Sequence, residues 1–416
     1  MLINNRLNRM GSLSNQPGKV DARYIYYGLI VLQYLSISLT ASNGTIYYLM
    51  HGVTKSWVGY LGVIGSVTVV FFEFPTGIVA DRIGPSVSVL ISLLLRGSAA
   101  LLVIFCYGPL MFSLITILGS VGYTFFSGAS EAWIFSKDRS IKDNMNSFFA
   151  NSFIMNGSAK IIGGAAGGLI ASWNTDVPFI LSGSLLLLTA LLFLIYLFMQ
   201  REVRLVAQAS SKQKKLQHFK KEMLNTVKIV VADKTLSLIT ISGMLFIVFS
   251  AIPLIYWQPF FFESADSMNA LGGIWAFLIA MNLAGNFVSK TNWLRNRDVF
   301  FLFKIMMPLC GVSLLISALT NKLLYASLFS FFAYHFFLGI LGPTRFIIIN
   351  QRIEDDRRAS ILSLISFTES FGMMFSFMTF GYLCNIFELK WILALSTIPL
   401  MFASLVATRI KGERAA

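Results

Sequence analysis

The chain has 416 residues, of which 56% are hydrophobic and only 12% are charged. Soluble domains usually carry about 25% charged residues, so a chain of this length with so little polar surface is predicted to be solvated mostly by lipid. The net charge of +14 would suggest nucleic acid for a soluble protein, but Lys and Arg of membrane proteins gather in cytoplasmic loops, so no nucleic-acid partner is predicted.

Twelve apolar segments are each close to the length of about 20 residues that crosses a bilayer as a helix. The predicted spans are residues 24–44, 58–80, 87–107, 110–135, 147–172, 178–199, 235–257, 268–289, 299–319, 323–344, 359–384 and 391–408. This pattern predicts an all-α membrane protein with one bundle of six helices in residues 24–200 and another in residues 235–408. The first apolar run is long enough to span, so it is expected to stay in place as a signal anchor.

The basic residues are distributed unevenly between the two sides of the predicted membrane. With the N-terminus inside, 27 of the 33 Lys and Arg fall in residues 1–23, 201–234, 409–416 and the loops on that side. The opposite loops contain only three, and another three lie within spans. The positive-inside rule therefore predicts that both tails and the linker, residues 201–234, are cytoplasmic and that the number of spans is even. The opposite-side residues are Lys55, Lys322 and Lys390, and those within spans are Arg96, Lys160 and Lys304.

The linker is the one long hydrophilic segment between spans. Leu216, Phe219, Met223 and Val227 recur in it with helical spacing, which predicts a basic amphipathic helix on the membrane surface. A solvated linker without such a helix is the alternative. Tryptophans are expected near span ends, where they would form an aromatic belt. These are Trp57, Trp173, Trp257, Trp293 and Trp391.

The three cysteines lie in apolar segments without the spacing of metal ligands. They are predicted to be small buried side chains with neither a disulfide nor a metal. The sequence contains no phosphate-binding loop and no constellation of catalytic side chains, so neither a nucleotide-driven pump nor an enzyme is predicted.

The end of the second span reads GIVADRIG, residues 77–84. This segment resembles the loop signature of the major facilitator superfamily, and Gly77, Asp81, Arg82 and Gly84 match it. The resemblance implies a latch that holds two pseudo-symmetric six-helix bundles in the outward-open state. Physically, Gly77 would let a neighbouring helix approach and Gly84 would permit a tight turn. The sequence departs from the signature at Pro85 and Ser86, where the family usually has two basic residues.

Other segments resemble bacterial drug-exporter-like members of the same superfamily. They are FEFPTGIVAD in span 2, SGASEAWIFSKD at residues 127–138, IIGGAAGGLIA at residues 161–171 and RRASILSL at residues 357–364. The resemblance implies a monomeric multi-pass transporter of a bacterial inner membrane that needs no cofactor. Span 4 has no Arg near Thr124 and Gly128, so proton coupling cannot be carried over from that family motif.

Ionisable side chains within spans cost roughly 2.5 to 3.5 kcal/mol on insertion scales and mark candidate sites. The six candidates for proton coupling or substrate contact are Glu73, Arg96, Glu131, Lys160, His335 and Glu369. Glu73 and Arg96 lie at similar depths and are predicted to pair, either as a structural ion pair or as part of the site. Glu131 is expected to pair with Arg82 or with another loop residue. Lys160 is expected to contact either Glu131 or an anionic group of the substrate.

Glu369 is the best candidate for a proton-coupling group, because it lies near the midplane in a polar stripe of span 11. Hydrogen bonds to the neighbouring serines are the alternative. His335, in the aromatic run FFAYHFF, is expected either to donate a structural hydrogen bond or to relay protons. Further polar candidates for the cavity are Gln33, Asn43, Asn156 and Trp257.

These features predict a secondary transporter that exports a small amphipathic molecule, such as a drug, an antibiotic or a small peptide, against its gradient. Alternating access of two six-helix bundles, driven by protons, would be the mechanism. One alternative is an importer or facilitator of the same fold for a nutrient or organic anion held by Arg96 and Lys160. A second alternative is a membrane sensor or assembly factor that transports nothing.

Overall fold

The computed structural model describes residues 22–138, 141, 145–200, 226–289, 291, 298–351 and 358–409. Fourteen α-helices are labelled in chain order: α1 Ala22–Ala41, α2 Gly44–Met50, α3 Lys55–Ile83, α4 Pro85–Leu102, α5 Gly108–Phe126, α6 Ala129–Lys137, α7 Met145–Ala171, α8 Val177–Met199, α9 Lys234–Ala265, α10 Met268–Ser289, α11 Val299–Leu319, α12 Leu324–Gln351, α13 Arg358–Leu383 and α14 Leu389–Thr408.

Within the described residues, twelve helical segments are long and apolar enough to cross a membrane, which confirms the predicted fold class. The helices α5 and α6 together form the fourth of these segments, and α2 is a short helix between the first two. Because the number of crossings is even, the outer ends of α1 and α14 lie on the same side. We call it the terminal side, and we call the opposite side the far side.

The helices of the two halves pack in the same order. In the first half, α1 packs against α7 and α8, α5 against α3 and α4, and α4 against α8. In the second half, α9 packs against α13 and α14, α12 against α10 and α11, and α11 against α14. Counted as spans from the start of each half, these two sets of contacts are identical. The contacts between the halves include α3 with α13 and α7 with α10. The pseudo-two-fold symmetry that relates the halves converts one of these two contacts into the other.

Several helices end away from the predicted positions. The first span ends at Ala41, so Asn43 precedes α2 instead of lying within the span. The helix α9 continues to Ala265 and α12 continues to Gln351, beyond the apolar stretches that predicted them. Both contain prolines, which membrane helices tolerate because neighbouring helices satisfy the freed backbone groups. In the linker, Val227 is helical, and the other three predicted amphipathic positions lie outside the described residues.

The tryptophans follow the predicted belt only in part. Trp57, Trp173 and Trp391 are exposed near span ends. Trp257 is buried instead, and its ring stacks on Trp275 with 5.9 Å between centroids. The reason is that α9 runs two further turns beyond Trp257, so this residue lies inside the bundle. Trp293 lies outside the described residues. All three cysteine thiols are free.

A single residue joins α3 to α4. Gly84 has φ +92° and ψ 150°, a conformation that residues with a side chain rarely adopt. Pro85 occupies the first turn of α4, where a missing N–H costs nothing, which accounts physically for the departure from the family signature. A Cβ at Gly77 would have nothing within 4 Å in this arrangement, in which the terminal side is open, so the role of Gly77 in the latch stays a prediction. Gly77 borders open space rather than a closely packed helix.

Replacing Gly84 by alanine should therefore lower the free energy of unfolding by about 1–3 kcal/mol, the usual cost of a side chain in this backbone region. Gly77→Ala is the matched control, since it adds the same methyl group within a helix and into open space. Unfolding of both purified variants in detergent, followed by tryptophan fluorescence, measures the difference. Equal midpoints for the two variants would contradict the assignment of strain to Gly84.

Candidate functional site

A cleft of about 730 Å³ separates α3 from α13 on the terminal side. The residues that each helix contributes recur every three or four positions and so form one helical face. The lining residues are Val70, Glu73, Phe74, Gly77, Ile78, Asp81, Ser363, Ser366, Phe367 and Ser370. Two carboxylates and three hydroxyls thus lie among aromatic and aliphatic side chains.

The same two helices touch on the far side. A Cβ at Gly59 on α3 would lie 2.7 Å from the Gly381 Cα atom on α13. One turn further along α3, a Cβ at Gly62 would lie 2.6 Å from the ring of Phe377. Since the helices meet at these positions and separate from Val70 onward, the space between the halves is closed on the far side and open on the terminal side.

A buried glutamine holds the far side together. Gln258 on α9 accepts a hydrogen bond from the Thr45 N–H at 2.8 Å, and its Nε2 donates to the Ala41 carbonyl at 2.9 Å. The Thr45 hydroxyl donates in turn to the Ile255 carbonyl at 3.2 Å. These bonds join the end of α1 and the start of α2 to α9, and therefore link the two halves.

Weaker contacts surround this link. The Tyr256 hydroxyl donates to the Lys55 carbonyl at 3.0 Å, and Lys55 Nζ pairs with Glu263 at 2.6 Å. The Lys55 and Glu263 side chains are 41% and 57% exposed, so this ion pair is screened by solvent and contributes little to closure. The buried hydrogen bonds of Gln258 therefore contribute more to closure than this exposed ion pair, and the buried Ser56 hydroxyl adds a bond to Asn385 Oδ1 on the same side.

The predicted ion pair between Glu73 and Arg96 does not form. Glu73 faces the cleft towards α13, whereas Arg96 lies against α5 and near Tyr34 and Tyr123. Among the described residues, the Nη1 atom of Arg96 is buried and has no hydrogen-bond partner. Equal depth did not fix the direction of the two side chains around their helices, so the prediction of a pair was wrong.

Arg96 reaches this position because a glycine faces it on the neighbouring helix. A Cβ at Gly122 on α5 would lie 2.7 Å from Arg96 Cγ and 3.2 Å from its backbone nitrogen. Any side chain at Gly122 would therefore displace the arginine. The absence of this side chain lets the stem of Arg96 pass across α5 towards α1.

Lys160 on α7 points towards α1. Its Nζ atom lies 4.7 Å from the centroid of the Tyr34 ring, which gives it a cation–π contact. Its carbonyl accepts a hydrogen bond from Trp275 Nε1 on α10 at 3.1 Å, so Lys160 stands beside a contact between the halves. Within the described part of the chain, no ion pair joins Lys160 to Glu131, which rules out one of the two partners predicted for it.

Glu131 on α6 also turns towards α1. Its Oε2 accepts a hydrogen bond from the Ser130 hydroxyl at 2.7 Å, and its charge lies near Tyr26 and Tyr34. This orientation differs from the predicted pairing with Arg82, which is exposed at the end of α3. Arg23 and Asp138 form an ion pair of 2.5 Å nearby, between the start of α1 and the end of α6.

In the second half, Glu369 on α13 forms an ion pair with Arg345 on α12. Both side chains are largely buried, and Gly243 on α9 leaves space for the guanidinium because a Cβ there would overlap Nη2. Hydrogen bonds to neighbouring serines, the predicted alternative, are not what holds Glu369. Ser366 and Ser370 line the cleft, and the Ser370 hydroxyl donates to the carbonyl of Ser366.

Sequence reasoning missed Arg345 because span 10 was ended at residue 344, which placed the arginine in a loop. The signal available was a proline two residues earlier, within a helix that continues through it. Gln258 was missed for the same reason, since span 7 was ended one residue before it. Both residues lie where a helix continues beyond its most hydrophobic stretch.

The remaining candidates have mainly structural contacts. The His335 ring packs between Phe331 and Tyr334, with centroid distances of 5.1 and 4.9 Å. The Asn43 Nδ2 atom donates to the Gly167 carbonyl at 3.2 Å and so links the end of the first span to α7.

Two buried amide oxygens stand apart from these contacts. Gln33 Oε1 and Asn156 Oδ1 are buried without a partner among the described residues. Asn156 lies on α7 within hydrogen-bonding reach of Tyr34. It therefore belongs to the same polar group as Arg96 and Lys160, in the interior of the first half.

Comparison with known proteins identifies a family that has this architecture. A family model described as Major Facilitator Superfamily matches residues 26–376. An uncharacterized MFS-type transporter of Bacillus subtilis (strain 168), YxaM, is 25% identical over 277 residues. That alignment covers 64% of this chain and 66% of the relative, so it spans slightly less than two thirds of the relative's length.

Solved structures share the fold at low sequence identity. The nucleoside transporter NupG superimposes with a TM-score of 0.74 at 14% identity and covers 94% of this chain and 100% of its own. A bacterial homologue of the iron transporter ferroportin in an inward-facing state has a TM-score of 0.72 at 13% identity, with 93% and 98% coverage. A bacterial homologue of the human lysosomal transporter Spinster, inward-facing and unoccupied, gives 0.70 at 13%, with 95% and 97% coverage.

Proposed function

Because the chain belongs to the Major Facilitator Superfamily, we propose that it is a proton-coupled exporter of a small amphipathic molecule that works by alternating access. Membership of this family makes the protein a multi-pass membrane transporter and not an enzyme. The observation that carries the mechanism is the difference between the two sides. The halves are joined on the far side by Gln258 and are separated by the cleft on the terminal side.

The size and lining of the cleft support a small amphipathic cargo. A volume of about 730 Å³ lies within the range of roughly 300–1,000 Å³ typical of sites for drug-sized ligands. Phe74 and Phe367 offer apolar surface, while Glu73 and the serines of α13 offer polar groups. A molecule with one apolar part and one polar part would find matching side chains for both parts.

The ion pair of Arg345 and Glu369 supports proton coupling. A proton that arrives at Glu369 neutralises the carboxylate and breaks the pair, which frees Arg345 at the junction of α9, α12 and α13. Since α9 carries Gln258 at its far end, a shift of α9 would reach the contacts that close the far side. Protonation and the opening of the halves would thus be linked through one helix.

The proposed direction follows from orientation and from the exporter-like segments of spans 2, 4 and 5. The excess of basic residues supports a cytoplasmic location for the terminal side, and the proposed membrane is a bacterial inner membrane. The cleft then receives cargo from the cytoplasm, and the closed far side faces outward. The protein would act as a monomer, since one chain contains both halves and the cleft between them.

The test is a compound panel on inverted membrane vesicles that contain the protein and have been acidified inside by respiration. A cargo added outside should accumulate in the lumen and release protons, seen as recovery of a quenched pH dye. Vesicles without the protein are the control. Export would be refuted if cargo left the lumen together with protons. Transport itself would be refuted if the purified protein in liposomes gave no flux for any compound.

A further inference from the structure

We propose that Arg96 and Lys160 bind an anionic group of the cargo, and that the cargo is a small organic acid with a hydrogen-bond donor near its carboxylate. Tyr34, Tyr123 and Asn156 complete this site in the first half of the molecule. The inference rests on the proposed function because it names the chemical class of the transported molecule. It does not depend on the direction of transport or on the coupling ion.

Arg96 has the geometry of a ligand-binding group and not of a structural ion pair. The absence of a side chain at Gly122 brings it across α5, where its Nη1 atom is buried without a partner among the described residues. The hydroxyls of Tyr34 and Tyr123 lie near it, and among the described residues no carboxylate forms an ion pair with it. A buried guanidinium without an anion costs several kcal/mol, so an anionic ligand would gain this energy on binding.

Lys160 brings a second positive charge to the same tyrosine. Its Nζ atom lies over the Tyr34 ring at 4.7 Å, while Arg96 approaches Tyr34 from α4. The bond from Trp275 to the Lys160 carbonyl places this lysine at the contact between the halves. Transporters of this architecture bind cargo between their repeats, so the position is accessible to the proposed mechanism.

The charges around this site do not balance. Glu131 is the acidic group that faces Tyr34, and it is held by the Ser130 hydroxyl. Arg345 in the other half is neutralised by its ion pair with Glu369, whereas no ion pair among the described residues neutralises Arg96. This difference between the two arginines favours anion binding at Arg96.

Asn156 indicates what stands next to the anionic group. Its Oδ1 atom is a buried acceptor without a donor among the described residues, and the residue lies close to Tyr34. A hydroxyl or amino group on the ligand would satisfy this acceptor while the carboxylate met Arg96 and Lys160. The tyrosine rings favour a flat or aromatic body beside these groups.

The experiment measures binding to the full-length protein in detergent by equilibrium dialysis. The probes are mandelate, phenyllactate and indole-3-lactate, each compared with its uncharged amide. We expect at least one acid to bind ten or more times as tightly as its amide. Arg96→Gln or Lys160→Gln should remove this preference, and Arg96→Lys should restore part of it. Lys304→Gln, which removes a cation from a span in the other half, should leave it unchanged.

The assignment is overturned if no acid is preferred over its amide by the wild-type protein, a result that needs no variant to fold. It is also overturned if the preference survives in monodisperse Arg96→Gln and Lys160→Gln proteins. Binding in detergent requires no flux, so acid-selective binding without transport would refute only the proposed function. Transport of a neutral cargo without acid preference would refute only the anion site.

Discussion

Replacing Glu369 by glutamine should abolish the proton-driven accumulation of cargo while leaving its exchange across the membrane intact. Glutamine keeps the shape of the side chain but cannot gain or lose a proton, so the pair with Arg345 no longer changes with protonation. In liposomes with an imposed pH gradient, one proton per cargo molecule supports accumulation of about tenfold per pH unit. The variant should reach only equal concentrations inside and outside, measured with the cargo that the panel identifies.

The glutamine also leaves Arg345 without its countercharge, which costs roughly 3–5 kcal/mol for a buried pair. A double variant, Arg345→Gln with Glu369→Gln, removes both charges and tests coupling without this cost. Glu388→Gln is the matched control, because Glu388 also pairs with a cation, Lys390 at 2.7 Å, but is 72% exposed in a loop. Lys390 holds the pKa of Glu388 below its usual range, so this carboxylate stays ionised at neutral pH. Accumulation that persists in both Glu369 variants would disprove the coupling role.

The number of spans could be predicted because hydropathy reports directly on burial in lipid. Each apolar run of about 20 residues corresponds to a helix in the structure, and the division into six and six follows from the linker. The packing order of the helices could not be predicted from hydropathy. It depends on which face of each helix meets its neighbour, and the all-round apolar helices of this chain carry little amphipathic signal to indicate that face.

The charged residues show this limit most clearly. Depth along a helix follows from residue number, so Glu73 and Arg96 are expected at similar levels. Direction around the helix axis does not follow from residue number, and α3 and α4 each pack more extensively on α5 than on each other. Glu73 therefore faces α13 while Arg96 crosses Gly122 towards Tyr34. Only the helix arrangement could reveal that these two charges belong to different surfaces.

The ends of helices were the second source of error. Hydropathy falls where α9 and α12 approach the membrane surface, but tertiary contacts keep both helices intact. The residues in these extensions are polar enough to look like loop residues and buried enough to link helices. Gln258 links the halves on the far side and Arg345 pairs with Glu369, so two polar contacts used in the proposed mechanism lie in these extensions.

Replacing Gln258 by leucine should shift the protein towards a state that is open on the far side. In the closed state, leucine would leave the Thr45 N–H and the Ala41 carbonyl buried without partners. An unsatisfied buried group costs roughly 1–3 kcal/mol, whereas water can reach both groups once the far side opens. The closed state should therefore lose about 2 kcal/mol or more relative to the open one, which changes their ratio by about thirtyfold.

Distances between spin labels in lipid nanodiscs measure this shift. Labels at Trp173→Cys and Tyr325→Cys lie on the far side in different halves, and both positions are more than three quarters exposed. The three native cysteines are replaced beforehand so that only these sites react. The wild-type background should give one short distance, and the Gln258→Leu variant should add a longer one as its main population.

Lys55→Gln separates the buried hydrogen bonds from the exposed ion pair on the same side. It removes the contact with Glu263 but keeps the Lys55 backbone carbonyl that Tyr256 binds. Because an exposed pair contributes only about 0–1 kcal/mol, the distance distribution should change little. If Lys55→Gln opened the far side as much as Gln258→Leu, the exposed ion pair would contribute as much to closure as the buried hydrogen bonds of Gln258. If neither substitution opened it, closure would rest on helix packing at Gly59 and Gly381 and not on Gln258.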